Sequence, residues 1–412
     1  MAPNVDVNVG FLASENWDPI AMRERTKWLR ENDPVRWSEK DGLWLITRYE
    51  DVEFCSKHQD IFTSAQGVRP GNPAKLGLID EDEPRHGNLR GLINRGFTPR
   101  MVKKLSEVFR AITTQAIDKV AKAGECDFVE DIAVPLPLRL IAYMIGIREE
   151  DYDDFHQWSD SMIAADGNMD NPEIVARATQ AFVSYAAYVT QIIEDRREKP
   201  KDDLVSILVG AKDDGQLMQF QDSGDHLGET ANLDLHNDEL LKILVLLLVA
   251  GNETTRNALS GGIELLIDNP DQRQKLIDDP SLLNSAVEEM VRLVSPVNSF
   301  GRTATQDIEL HDKQIKAGDC ILLLYPSANR DAEQFEDPDS FKVDRAPQHL
   351  GFGMGSHFCM GANLARMEMR VAFEELLRRL PDMEYTEGGP VIRPQALVRT
   401  CERLAVRFTP ES

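Results

Sequence analysis

The chain has 412 residues, 42% of them hydrophobic, enough to bury a large core and too many for a disordered segment. With 46 Lys+Arg against 70 Asp+Glu the formal net charge is −24, a balance that repels phosphate backbones and argues against nucleic-acid binding. The five cysteines (55, 126, 320, 359 and 401) are odd in number, widely spaced and without a C-x-x-C pair, which argues against a disulfide framework and a structural zinc.

At the N-terminus, Ala2-Pro3-Asn4-Val5-Asp6 carries no basic region followed by an apolar run. The longest uncharged apolar run, 243–250, is too short to span a bilayer, so a cytoplasmic protein without membrane insertion is expected. A strand is predicted over Leu43-Trp44-Leu45-Ile46-Thr47. Further on, His86 and Arg90 stand one helical turn apart on one face. Apolar residues at three- and four-residue spacing predict a helix over 101–120, following Phe97-Thr98-Pro99, and another over 173–198 that stops before Pro200. Between them the acidic run 149–154 reads as solvated surface, and the polar stretch 212–237 reads as a mobile hairpin or flap.

The segment 237–268 predicts a long helix, with Asn237 as its cap and an interior apolar on nearly every face from Leu240 to Ala250. In its middle stands Gly251-Asn252-Glu253-Thr254-Thr255, where a glycine, a carboxylate and two hydroxyls oppose both helix propensity and burial. Such a conflict between local preference and position marks a candidate functional site. After it come Glu289-Met290-Val291-Arg292, then Ser299-Phe300-Gly301-Arg302, and strand signals over 320–325 and 405–408 that fit a small sheet assembled from distant segments. With no linker, repeat or composition break, the expected architecture is mainly α with small β-sheets, in one domain over 1–412.

The sharpest local pattern is Phe352-Gly353-Met354-Gly355-Ser356-His357-Phe358-Cys359-Met360-Gly361, followed by a helical run from Ala362. Glycines let the backbone fold around one cysteine, and a helix start aims free N–H groups at its sulfur, which favours a thiolate. A nucleotide-binding G-x-G-x-x-G reading fails, because the third glycine is missing and no βαβ unit surrounds it.

The run 352–361 resembles the cysteine loop F-x-x-G-x-H-x-C-x-G of the cytochrome P-450 family, the haem-thiolate monooxygenases. Other segments match in order. Residues 250–255 resemble the oxygen-activating helix motif, 289–292 the family's E-x-x-R, and 82–90 its haem-edge helix. E-x-x-R also occurs at 194–197 and 375–378, so the order of the motifs carries the resemblance more than that motif does.

The resemblance implies a haem b (iron protoporphyrin IX) held by Cys359 as axial ligand, a thiolate that pushes electron density through iron. It implies that His86, Arg90, Arg302 and His357 meet the haem propionates. Gly251 leaves room for O₂, and Glu253 and Thr254 form the catalytic pair that relays protons. Glu289, Arg292 and Arg345 correspond to a buried structural triad. The matching substrate-pocket positions are Val68, Leu78, Val249, Ala250, Val297, Asn298, Phe300 and Leu397, mostly apolar, which predicts a hydrophobic small-molecule substrate. The texture of 66–70 and 79–82 is similar to bacterial members that oxidise steroids or sterol side chains. No segment fits a flavin or an iron–sulfur cluster, so electrons from NAD(P)H are expected through a separate ferredoxin reductase and ferredoxin. These would dock where Arg95, Arg100, Lys103, Lys104 and Arg366 form a local basic patch. A peroxide-driven haem enzyme and a non-catalytic haem sensor or carrier are the alternatives.

Overall fold

The computed structural model describes residues 5–72, 74–94, 99–165, 168–213, 237–386 and 388–412. Its helices are α1 (Pro19–Asn32), α2 (Tyr49–Lys57), α3 (Arg85–Asn94), α4 (Pro99–Val120), α5 (Pro135–Ile145), α6 (Tyr152–Ala164), α7 (Pro172–Glu198), α8 (Leu204–Asp213), α9 (Asn237–Asp268), α10 (Pro270–Asp278), α11 (Leu283–Val294), α12 (Tyr325–Ala328) and α13 (Ala362–Arg379). The strands are β1 (Val35–Ser38), β2 (Leu43–Ile46), β3 (Phe62–Thr63), β4 (Glu125–Asp127), β5 (Ser299–Ala304), β6 (Ile308–Leu310), β7 (Lys313–Ile315), β8 (Cys320–Leu324), β9 (Glu384–Tyr385), β10 (Val391–Arg393), β11 (Thr400–Arg403) and β12 (Ala405–Arg407). None of the described helices is long and apolar enough to cross a membrane.

The expected helices over 101–120 and 173–198 correspond to α4 and α7, and Asn171 caps α7 by accepting from the amides of Glu173 and Ile174. The stretch 212–237 divides. Lys212 and Asp213 end α8, Asn237 opens α9, and 214–236 lie outside the described residues. The predicted sheet is also divided. β2 and β8 pair in parallel in a five-stranded sheet of order β1-β2-β8-β5-β3, whereas β12 joins β4 and β9 in a separate sheet. Strand propensity is local and pairing is not, so the choice of sheet was not readable from the third segment.

The main core gathers apolar faces of α4, α5, α7, α9, α11 and α13. α9 runs through it unbroken: Leu240, Ile243, Leu244 and Leu248 are buried, and so are Asn252, Glu253, Arg256, Asn257 and Ser260 one turn and more beyond. Burying that many polar groups requires internal partners, and supplying them shapes the site.

Candidate active site

The cysteine loop is fixed by its backbone. Gly353 and Gly355 have φ of 69° and 74°, and a Cβ at Gly355 would collide with Ser56 O at the end of α2. The amide of Cys359 donates to Phe352 O at 2.8 Å, closing the turn, and α13 starts three residues after the cysteine. Sγ opens onto an internal cavity: its surface is accessible, yet protein surrounds it. Burial raises its pKa, opposed by the amides of Gly361 and Ala362 and by Arg90 and Arg366.

The cavity measures about 290 Å³ for the centre of a water-sized sphere. α9 forms one wall with Ile243, Leu246, Leu247, Val249, Ala250 and Thr254, and the cysteine loop lies at its other side. Val68 and Leu78 close it from a loop pinned by Asp80, whose carboxylate accepts from the amides of Val68 (2.9 Å) and Leu76 (2.6 Å). Gly301 N donates to Val68 O at 2.7 Å, tying that loop to β5.

At one end four basic side chains converge on the cavity: His86, Arg90, Arg302 and His357. The rings of His86 and His357 are 4.2 Å apart, and His86 Nδ1 lies 3.0 Å from Glu83 Oε1. Among the described residues the Arg302 side chain donates only to Gly301 O, and neither it nor Arg90 meets a carboxylate. His357 Nε2 is buried without a partner, and its pKa is lowered to about 3 by burial and by Arg302, His86 and Arg90, against Asp82. Two guanidiniums and an orphaned imidazole facing a cavity lack anionic charge, and a group bearing two carboxylates supplies it.

The sequence model of the cytochrome P450 family matches residues 37–395. The chain belongs to that family. It is 39% identical over 413 residues to the steroid C26-monooxygenase of Mycobacterium tuberculosis, covering 99% of this chain and 98% of the relative. It is 39% identical over 359 residues to the methyl-branched lipid omega-hydroxylase of the same organism, covering 84% and 80%. The Mycobacterium marinum cytochrome P450 CYP268A2 in complex with pseudoionone superposes with a TM-score of 0.85 at 32% identity, covering 97% of this chain and 98% of that one. The protein is thus a cytochrome P450 monooxygenase, and haem is the cofactor of its family. The residues around the cavity fit that group: a cysteine sulfur faces it, and the four basic side chains suit its propionates.

Several P450 site residues have roles beyond those expected. Thr254 Oγ1 donates to Ala250 O at 2.7 Å, one turn back in α9, while the side chain remains open to the cavity. Glu253 is 1% exposed and held by Arg256, whose Nη2 donates to Oε1 at 2.8 Å and lies 2.6 Å from Oε2; Asn257 Nδ2 also donates to Oε1, at 3.1 Å. A Cβ on Gly251 would stand 2.6 Å from Ile141 Cδ1, so the missing side chain makes room for α5.

Of the expected pocket residues, Val68, Leu78, Val249, Ala250, Val297, Phe300 and Leu397 line the cavity, and Asn298 does not. Its Nδ2 donates to Gln395 O at 2.7 Å and its backbone N to Leu397 O at 2.8 Å, so it holds the segment that presents Gln395 and Leu397. Glu289 accepts from Arg292 through both oxygens at 2.7 Å and from Arg345 Nε at 2.9 Å.

The basic patch is less free than the sequence implied. Arg366 is bound bidentately by Glu288 and lies over the Phe352 ring, and Lys104 pairs with Asp202. Lys103 is exposed; Arg95 and the side chain of Arg100 lie outside the described residues.

Sequence reasoning missed Arg256, Asp160 and Glu368. Arg256 stands at the same i,i+3 spacing as the E-x-x-R that was recognised. Glu368 is buried, lines the cavity and has a carboxyl pKa pushed well up by desolvation; nothing in its local sequence marks it.

Proposed function

We propose that this P450 hydroxylates a steroid-, sterol- or terpenoid-like molecule at a C–H bond, with Cys359 as the residue that would hold the haem iron. Carrying this reading is one juxtaposition: the Cys359 sulfur and the Thr254 hydroxyl belong to distant elements and line the same largely apolar cavity. Haem bound through a thiolate supplies the iron chemistry that activates O₂. The chain contributes the rest. His86, Arg90, Arg302 and His357 would hold the propionates, and the amides of Gly361 and Ala362 offset part of the burial that disfavours the Cys359 thiolate. Val297, Phe300, Leu397 and the α9 wall exclude water and orient an apolar substrate. Thr254 and Glu253 are the groups placed to hand on the protons that the reaction consumes.

The relatives named above, a steroid C26-monooxygenase and a methyl-branched lipid omega-hydroxylase, support a bulky apolar substrate. Electrons come from NAD(P)H through a ferredoxin reductase and a ferredoxin, in the cytoplasm. Dithionite-reduced holoprotein treated with carbon monoxide should show the red-shifted Soret band of thiolate ligation, and Cys359→Ser should abolish it. An imidazole-type band in the unaltered protein refutes the ligand assignment. Steroids and terpenoids should move the iron from low to high spin. A response to linear fatty acids alone would remove the substrate assignment.

A further inference from the structure

One wall of the cavity is held by a carboxylate that the cavity itself never meets. Asp80 ends the short turn Leu78–Asp80, where its amide donates to Gly77 O at 2.7 Å, and its side chain is buried. Both carboxylate oxygens are used: Oδ1 accepts from the Val68 amide and Oδ2 from the Leu76 amide, so two separate stretches of backbone are drawn to one charge. Hydrogen bonds to an ionised acceptor are about twice as strong as neutral ones, and burial keeps water from competing for them. Further ties surround this staple. The Val68 carbonyl accepts from Gly301 N of β5, and Pro70 packs so closely there that a Cβ on Gly301 would stand 2.6 Å from Pro70 Cγ. Asp82, two residues on, accepts from Ser64 N at 3.0 Å and from Gln59 Nε2 at 2.8 Å, which fixes the approach to the wall. Val68, Leu76 and Leu78 line the cavity, and Asp80 does not.

We propose that Asp80 determines substrate selectivity from behind the cavity: its carboxylate keeps the wall of Val68, Leu76 and Leu78 rigid, and a rigid wall favours a rigid polycyclic molecule over a flexible chain. This rests on the reading of the cavity as a site for a bulky apolar substrate. A wall ordered before binding has no ordering cost left to meet, and a fused-ring ligand has few bonds to freeze, so their contact is kept almost in full. A linear chain must give up rotational freedom whatever the wall does. Loosening the wall therefore harms the rigid ligand more, because it cannot reshape itself to follow displaced side chains, whereas a chain can. Asp80 is a positioning residue, since it acts through the backbone of Val68 and Leu76 and not by touching substrate.

The test uses haem-loaded enzyme titrated with testosterone as the rigid probe and hexadecanoic acid as the flexible one, read by the shift from low to high spin. Asp80→Asn keeps the side chain's shape but offers one acceptor oxygen in place of two, with its NH₂ group turned towards an amide N–H. The Kd of testosterone should rise about tenfold, equivalent to 1.4 kcal/mol, and that of hexadecanoic acid should change by less than about twofold. The carbon monoxide band should stay unchanged. An unaltered testosterone affinity refutes the proposal, and so does an equal loss for both probes, which is what a merely structural role would give. Hydrogen exchange in the ligand-free, haem-loaded enzyme judges the wall without a substrate. The Val68 and Leu76 amides should exchange slowly in the unaltered protein and faster in Asp80→Asn, and rapid exchange in the unaltered protein overturns the proposal. Should Asp80→Asn fail to load haem, exchange in the unaltered protein decides. If testosterone leaves the spin state of the unaltered enzyme unmoved, the steroid reading fails, while amide exchange still judges the wall.

Discussion

Two buried ion pairs in this P450 have the same E-x-x-R spacing and opposite surroundings. Around Glu289 and Arg292 every polar group is closed. The guanidinium donates to both carboxylate oxygens and to the carbonyls of Asn329, Pro338 and Ser340, while Arg345 and the Lys342 amide complete Glu289. Around Glu253 and Arg256 the shell is open: among the described residues Arg256 Nε has no hydrogen-bond partner, and Asp160, with its side chain 44% exposed, reaches solvent. Spacing decides that the two residues pair. Whether the pair is scaffold or working part depends on what closes the shell, because a low-dielectric site penalises each group left over.

That contrast predicts unequal costs. Arg292→Leu leaves Glu289 charged and dry, and should destabilise by about 3–5 kcal/mol with loss of haem-bearing protein, measured by denaturant melts and haem content. Arg256→Leu should cost less, about 1–3 kcal/mol, because Glu253 keeps the Asn257 amide as a donor and its shell opens towards solvent at Asp160. Equal losses in the two variants would mean that the shell around Glu253 is as closed as the triad. Gly251→Ala sets the clash with Ile141 Cδ1, a movable side-chain end, against a gain of about 0.8–1 kcal/mol in helix propensity. Its melting temperature should fall slightly alone and recover when Ile141→Val restores the space.

The smallest effect is expected at Glu288. Burial alone would raise its carboxyl, but His349 and Arg366 hold it down to about 2. A lowered folded-state pKa stabilises fully above the ordinary value of 4.5 and loses that stabilisation as pH falls towards about 2. Glu288→Gln should therefore flatten the acid side of the stability profile and leave neutral pH within about 1 kcal/mol of the parent, since the pair is partly solvated.

Much of this was legible in the sequence because the constraints are local. Gly353 and Gly355 must adopt positive φ, the conflict at 251–255 sits in an otherwise apolar helix, and His86 and Arg90 share a face. What escaped depends on partners far along the chain. Asn298 reads as a pocket position, yet the carbonyl of Gln395 claims it. Arg256 was passed over because its meaning lies in Asp160 of another helix, and Glu368 because only the tertiary fold shows that its Oε2 is buried without a partner among the described residues. For the same reason β12 could be placed as a strand and not assigned to a sheet.

The cysteine loop rests on the end of α2, with Gly355 against the Ser56 carbonyl, and His357 lies tilted against His86 of α3. Early and late parts of the polypeptide must therefore meet before a porphyrin can be gripped from both sides. Pairings between such distant segments are slow to form, which makes cofactor capture a late event of biogenesis, after most of the chain has left the ribosome.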